Sequence, residues 1–239
     1  MPDSDPSATP LLLLPGLICD ARIWAPQVES LRAGRPVHAI NGYGEADSFA
    51  VMADVVLASA PPRFALAGHS MGGRVALEIF RRAPERVAGI ALVSTGIHPP
   101  KPGEAEKRFA LLARGVEEGM DALIDAWLPP MVWEPNRMQP GLMDELARMC
   151  ADMGLDTFER QVRALLGRPE VESLLATIRC PALVAVGAHD EWATPQQHRT
   201  IAAGIPGSTL AIIEEAGHML PVERPDGMTA ALVSWLETI

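Results

Sequence analysis

The sequence predicts an α/β protein: a mostly parallel sheet of about six strands, helices on both faces, and an inserted helical cap. Three observations carry that prediction. Short apolar runs recur along the chain and are continuous rather than alternating, the pattern of parallel strands covered on both sides. Between them lie segments whose apolar residues step by three and four, the spacing of amphipathic helices. From about Ile97 to Arg179 this alternation stops, and no strand-like run occurs.

Taken in order, Leu11–Leu14 reads as a buried strand that enters the tight loop Pro15-Gly16-Leu17. From Asp20 to Leu31 the residues Ile23, Trp24, Val28 and Leu31 fall at helical intervals, closing before Gly34. Val37–Ile40 is a second strand, and Phe49, Met52, Ala53, Val56 and Leu57 mark a helix that Pro61-Pro62 ends. A third strand begins at Phe64, a helix runs through Phe80 and stops near Pro84, and Val87–Val93 is the fourth strand. The alternation resumes with a strand over Pro181–Val186, a helix over Pro195–Ala203, a last strand over Ser208–Ile213 and a closing helix over Asp226–Leu236. A β-α-β order of this kind builds an open parallel sheet. Residues 1–96 and 180–239 are therefore expected to form the core, and 97–179 a helical cap broken by its prolines.

With 239 residues, 48% of them hydrophobic, the chain suits one large domain with an insertion. The net charge of −10 argues against nucleic acid or an anionic membrane as partner, since no basic patch is present to displace counterions. Cys19, Cys150 and Cys180 are odd in number and scattered, with neither metal-ligand spacing nor a disulfide framework, which favours a reducing compartment. Met1–Pro10 carries two aspartates and no basic residue, and Leu11–Leu14 is too short for a signal core. The expected location is the cytoplasm. Oligomeric state is not encoded in any legible pattern.

The chemistry centres on Phe64–Arg74, F-A-L-A-G-H-S-M-G-G-R. Gly68-x-Ser70-x-Gly72 sits between a strand and a helix, the context in which a serine is lifted on a strained turn above the end of a parallel sheet. The helix then aims its first N–H groups back at the serine, where an oxyanion can be held. A serine hydroxyl needs a general base to act as a nucleophile at neutral pH, and histidine held by a carboxylate is the usual base. His218 follows the last strand and Asp190 the strand before it. Ends of neighbouring parallel strands lie side by side, so these two residues can meet. His189 is the alternative base, and Glu191 and Glu215 are alternative carboxylates; His38, His98 and His198 read as surface or packing residues. The order serine, acid, histidine along the chain is the one expected of this strand-turn-helix type.

These signals together (Gly68-His69-Ser70-Met71-Gly72-Gly73, Gly187-x-x-Asp190 leading to Thr194-Pro195, and Gly217-His218) resemble the α/β-hydrolase fold family, in its small capped esterase and lactonase type. The resemblance spans almost the whole chain. It implies Ser70 as nucleophile, His218 as base and then acid, Asp190 as the orienting carboxylate, and the N–H groups of Leu17 and Met71 as the oxyanion hole. Two departures stand out: Pro15-Gly16 replaces the His-Gly common in relatives, and a sheet of about six strands is expected where many relatives place two further strands ahead of the first one. Serine at the elbow, where dehalogenases and epoxide hydrolases of this fold carry aspartate, argues against those reactions.

The expected function is hydrolysis of a carboxylic ester or related acyl bond of a small, largely apolar substrate, with no metal or organic cofactor. Lactone or enol-lactone hydrolysis, carbon–carbon bond hydrolysis on the same three residues, and a non-catalytic small-molecule receptor are the alternatives. The segment 97–179 holds Met120, Met131, Met138, Met143, Met149 and Met153 with Trp127 and Trp133, a composition that suits either a helical core or an adaptable apolar pocket. His69, Trp127, Met131, Trp133, Trp192 and Met219 are the candidate pocket residues.

Overall fold

The computed structural model describes residues 8–239, so residues 1–7 of the expected core segment 1–96 lie outside the described residues. Six strands form one sheet: β1 (Leu11–Leu14), β2 (Val37–Ala39), β3 (Phe64–His69), β4 (Val87–Val93), β5 (Ala182–Gly187) and β6 (Thr209–Ile213). Their order is β2-β1-β3-β4-β5-β6, and every neighbouring pair is parallel. The mostly parallel sheet of the sequence is thus wholly parallel. All residues of β1, β3, β4 and β5 are buried, which is why these runs are continuous rather than alternating. Burial of each leucine of β1 contributes about 1.5–3 kcal/mol.

The helices follow from the direction in which the chain moves along the sheet. Between β1 and β2 it moves one way through α1 (Ala25–Leu31), and afterwards the other way through α2 (Phe49–Ser59), α3 (Met71–Arg82) and later α8 (Pro195–Gly204). Right-handed crossovers therefore put α1 on one face and α2, α3 and α8 on the other. The closing helix α10 (Pro225–Leu236) packs against α1, and α2 packs against α3. A one-turn helix α9 (Leu220–Glu223) precedes α10 and has no periodic signal in the sequence. The helix expected from Asp20 is divided: Asp20 caps a 3-10 turn over Ala21–Trp24, and α1 starts only at Ala25 with Pro26 in its first turn.

Between β4 and β5 the chain is helical: α4 (Glu104–Glu118), α5 (Met120–Trp127), two 3-10 turns (Pro129–Met131 and Glu134–Met138), α6 (Leu142–Leu166) and α7 (Glu172–Leu175). Prolines alone do not set its breaks. Gly119 and Gly141 stand ahead of α5 and α6 with φ of 98° and 80°, and Gly154 kinks α6 at φ 75°. No helix among the described residues is long and apolar enough to cross a membrane.

Candidate active site

Ser70 sits at the junction of β3 and α3 with φ 54° and ψ −117°, a conformation costly for a residue with a side chain. The turn is tight because glycines flank it. A Cβ on Gly68 would stand 2.2 Å from the Gly72 carbonyl oxygen, and one on Gly72 would stand 2.5 Å from that of Leu14. The strained turn is held from the next strand. The Ser70 N–H donates to the Val93 carbonyl at 2.8 Å, and the Thr95 hydroxyl donates to the Ser70 carbonyl at 2.7 Å. Thr95 is fixed in turn by His198, whose Nε2 accepts its N–H at 3.1 Å. His198 is thus a buried packing residue, neutral because burial depresses its pKa.

Three side chains meet at the carboxyl ends of β3, β5 and β6. His218 Nε2 is 2.8 Å from Ser70 Oγ, and its Nδ1 is 2.9 Å from Asp190 Oδ2. The other Asp190 oxygen accepts the N–H groups of Trp192 and Ala193 at 2.9 and 2.8 Å. Burial pushes the Asp190 carboxyl up, but the charge and hydrogen bond of His218 and the two amides outweigh it, and the net is below the ordinary value. A carboxylate, an imidazole and a hydroxyl in this line suit withdrawal of the hydroxyl proton. The alternatives fall elsewhere. His189 is exposed and stacks on Trp133 at 4.5 Å between ring centroids; Glu191 is exposed; Glu215 is exposed and paired with Arg224.

The loop bearing His218 is pinned by groups that carry no sequence motif. The Met131 carbonyl accepts the His218 N–H at 2.8 Å. Glu223, buried on α9, accepts the N–H groups of Gly217 (3.0 Å), Met219 (3.0 Å) and Trp133 (2.9 Å) and the side-chain amide of Asn136 (2.9 Å). The loop Pro15-Gly16-Leu17, which lacks the usual histidine, is anchored by other means. The Tyr43 hydroxyl donates to the Pro15 carbonyl at 2.9 Å, and Gln161 from α6 accepts the Ile18 N–H at 2.7 Å. Neither Glu223 nor Gln161 could be singled out in advance, since each acts on chain far away in sequence.

Ser70 and His218 open into a cavity of about 370 Å³, lined also by Leu17 and Met71. Among the candidate pocket residues Trp127, Met131 and Trp192 line it, whereas His69, Trp133 and Met219 do not. His69 is 1% exposed beneath the loop, Trp133 is committed to His189, and Met219 is 1% exposed in the core. Of the six methionines in 97–179 only Met131 reaches the cavity; Met138 is 84% exposed and Met149 is core. Methionine therefore contributes little to the lining, whose apolar part comes from Leu17, Leu111, Trp127, Phe158 and Leu165. One wall is ionic, with Arg74, Lys101, Lys107, Arg108 and Arg168 beside a single carboxylate, Glu104.

A family model described as the alpha/beta hydrolase family matches residues 11–231. The chain belongs to the alpha/beta hydrolase family. This alpha/beta hydrolase is 26% identical over 250 residues to a Rhizobium rhizogenes protein named "Putative carbamate hydrolase RutD", covering 97% of this chain and 94% of that one. Among solved structures it resembles a malate-bound thermophilic esterase from Thermogutta terrifontis, at 28% identity and TM-score 0.90, over 97% of this chain and 90% of that one. It also resembles the enol-lactonase of Burkholderia xenovorans, at 26% identity and TM-score 0.84, over 98% and 94% of the two chains. Like these relatives, the alpha/beta hydrolase described here is a hydrolytic enzyme.

Proposed function

We propose that the enzyme hydrolyses a carboxylic ester or related acyl bond of a small molecule through an acyl-enzyme on Ser70. The observation that carries this reading is the continuous line Asp190–His218–Ser70, with contacts of 2.9 and 2.8 Å, ending at the cavity. In the reaction His218 Nε2 takes the Ser70 proton as Oγ attacks the acyl carbon. The carbonyl oxygen becomes an oxyanion facing the N–H groups of Leu17 and Met71, which have no acceptor among the described residues. His218 returns the proton to the leaving group, and the acyl-enzyme remains. It then deprotonates water, which attacks the acyl carbon, and the same proton goes back to Ser70 as the acid departs. Asp190 keeps the Nδ1–H of His218 in place throughout. The segment 97–179 acts as a cap over this centre.

Lactone and carbamate bonds undergo the same acyl chemistry, and the enol-lactonase and RutD relatives favour including them among the substrates. The deciding experiment combines a fluorophosphonate probe with hydrolysis of p-nitrophenyl acetate. Ser70 should be labelled in the wild type, and Ser70→Ala should lose activity by at least about 10⁴-fold while keeping its fold. An unlabelled Ser70 in a folded protein would point to a receptor instead. A panel of esters, lactones and carbamates ranks the bonds.

A further inference from the structure

The most unusual feature of the cavity is Arg74, on the first turn of α3 and four residues after Ser70. Its side chain lines the cavity, yet the residue is only 4% exposed. Two of its five N–H groups are used on backbone carbonyls, those of Pro169 (3.2 Å) and His98. No carboxylate among the described residues lies within 4.0 Å of it. A buried cation without a counter-ion is unfavourable unless something else supplies the charge. Burial and the neighbouring Arg168 draw its pKa down to about 10, with Glu104 and Glu170 opposing, so it stays charged at neutral pH.

The surrounding groups do not relieve it. Glu104 is shared between Arg168 at 2.7 Å and Arg108 at 2.9 Å, and Arg168 spends its remaining donors on the carbonyls of His98, Pro99 and Leu165. Lys101 and Lys107 line the same wall, and no side-chain ion pair engages either among the described residues. The wall thus concentrates positive charge in a chain whose net charge is −10. A cleft of one sign with low-dielectric walls focuses its field on whatever enters.

We propose that the substrate carries a carboxylate remote from the scissile bond, bound by Arg74 with Lys101 and Lys107 at the rim. This rests on the Ser70 acyl-hydrolase reading and names its substrate class. Four residues of helix separate Ser70 from Arg74 by about 6 Å along the axis, the reach of a short dicarboxylic chain. A planar guanidinium on the cavity wall, with donors unused among the described residues, matches a carboxylate in shape as well as charge.

The test compares mono-p-nitrophenyl glutarate with its uncharged methyl ester. In the wild type kcat/KM should favour the charged ester by about tenfold or more, and the ratio should fall towards unity in Arg74→Gln and at high salt. A wild-type ratio at or below unity, or a ratio unchanged in Arg74→Gln, overturns the proposal. If Arg74→Gln does not fold, Lys101→Gln/Lys107→Gln must lower the ratio. Binding is read separately by melting temperature, which glutarate at about ten times Kd should raise by roughly 2–4 °C and glutaramide should not. That shift still decides the matter if neither ester is turned over and Ser70 is not labelled, the outcome that removes the acyl-hydrolase reading alone. A larger shift with inorganic phosphate than with glutarate overturns the carboxylate assignment.

Discussion

His69 donates its Nε2–H to the main-chain carbonyl of His218 at 2.8 Å, so the residue next to Ser70 on β3 also steadies the loop that presents the imidazole. Its Nδ1 is buried without a partner among the described residues, and the ring sits between Trp24 and His218. Burial, together with the charge of His218, depresses its pKa to about 3, against the opposing hydrogen bond to the His218 carbonyl and the Asp190 charge.

That depression fixes the sign of a pH effect. Unfolded, the ring takes up a proton below its ordinary value of about 6.5, whereas the folded ring resists until about 3. Between those values the unfolded chain binds more protons, so stability falls as pH falls, by up to about 1.4 kcal/mol per pH unit from this group. His69→Gln keeps a donor for the carbonyl and does not titrate. Urea denaturation from about pH 7 to about pH 4 should give a shallower loss of stability in the variant. Equal slopes would show that His69 is not the source.

Glu223 fills both carboxylate oxygens with N–H donors from two distant parts of the chain. In Glu223→Gln one oxygen is replaced by an NH₂ group that confronts a donor. The expected cost is about 1–3 kcal/mol in stability. Because the loop carrying His218 loosens, kcat for a short ester should fall while KM changes little, which steady-state kinetics with a folded variant will check.

Asp190→Asn keeps the size of the side chain and removes its charge. Without the carboxylate the His218 Nδ1–H loses its acceptor, and the wrong tautomer faces Ser70. A fall in kcat of about 10⁴-fold is expected, with the circular dichroism spectrum unchanged. Retained activity would assign the carboxylate role elsewhere.

Gln161 is the anchor of the loop after β1. Ile18 adopts φ 44°, and its N–H finds its acceptor among the described residues only in the Gln161 side chain. Gln161→Leu should leave that N–H unsatisfied and displace the neighbouring Leu17 N–H, lowering kcat by roughly 10–100-fold with a smaller change in KM. An unchanged kcat would mean that the Leu17 N–H plays no part in the reaction.

The sheet is legible in the sequence because its four inner strands are buried on both faces and read as unbroken apolar runs; Leu11–Leu14 and Val87–Val93 are examples. Ser70, Asp190 and His218 are legible because each stands just past a strand end among glycines, where a parallel sheet collects its loops. What escapes is long-range pairing. Glu223 looks like an ordinary helix residue until the chain from Trp133 to Asn136 is placed against it. His69 is read from sequence as a candidate pocket residue, and it is buried away from the cavity. Arg74 leaves a faint sign, a single charge in the otherwise small and apolar start of α3, but its lack of a counter-ion among the described residues is visible only in three dimensions. The methionines of 97–179 divide among core, cavity and surface, a division hidden from sequence because composition does not say which face of a helix looks inward.

Met131 does two jobs with different atoms: its side chain lines the cavity, while its carbonyl holds the backbone of His218. Trp133 likewise meets Glu223 through its main-chain N–H. The seam between the helical insertion and the histidine loop is therefore stitched largely with peptide groups, which every amino acid but proline supplies in full. Side chains along that seam are free to drift under selection for a new substrate while the reacting atoms stay where they are.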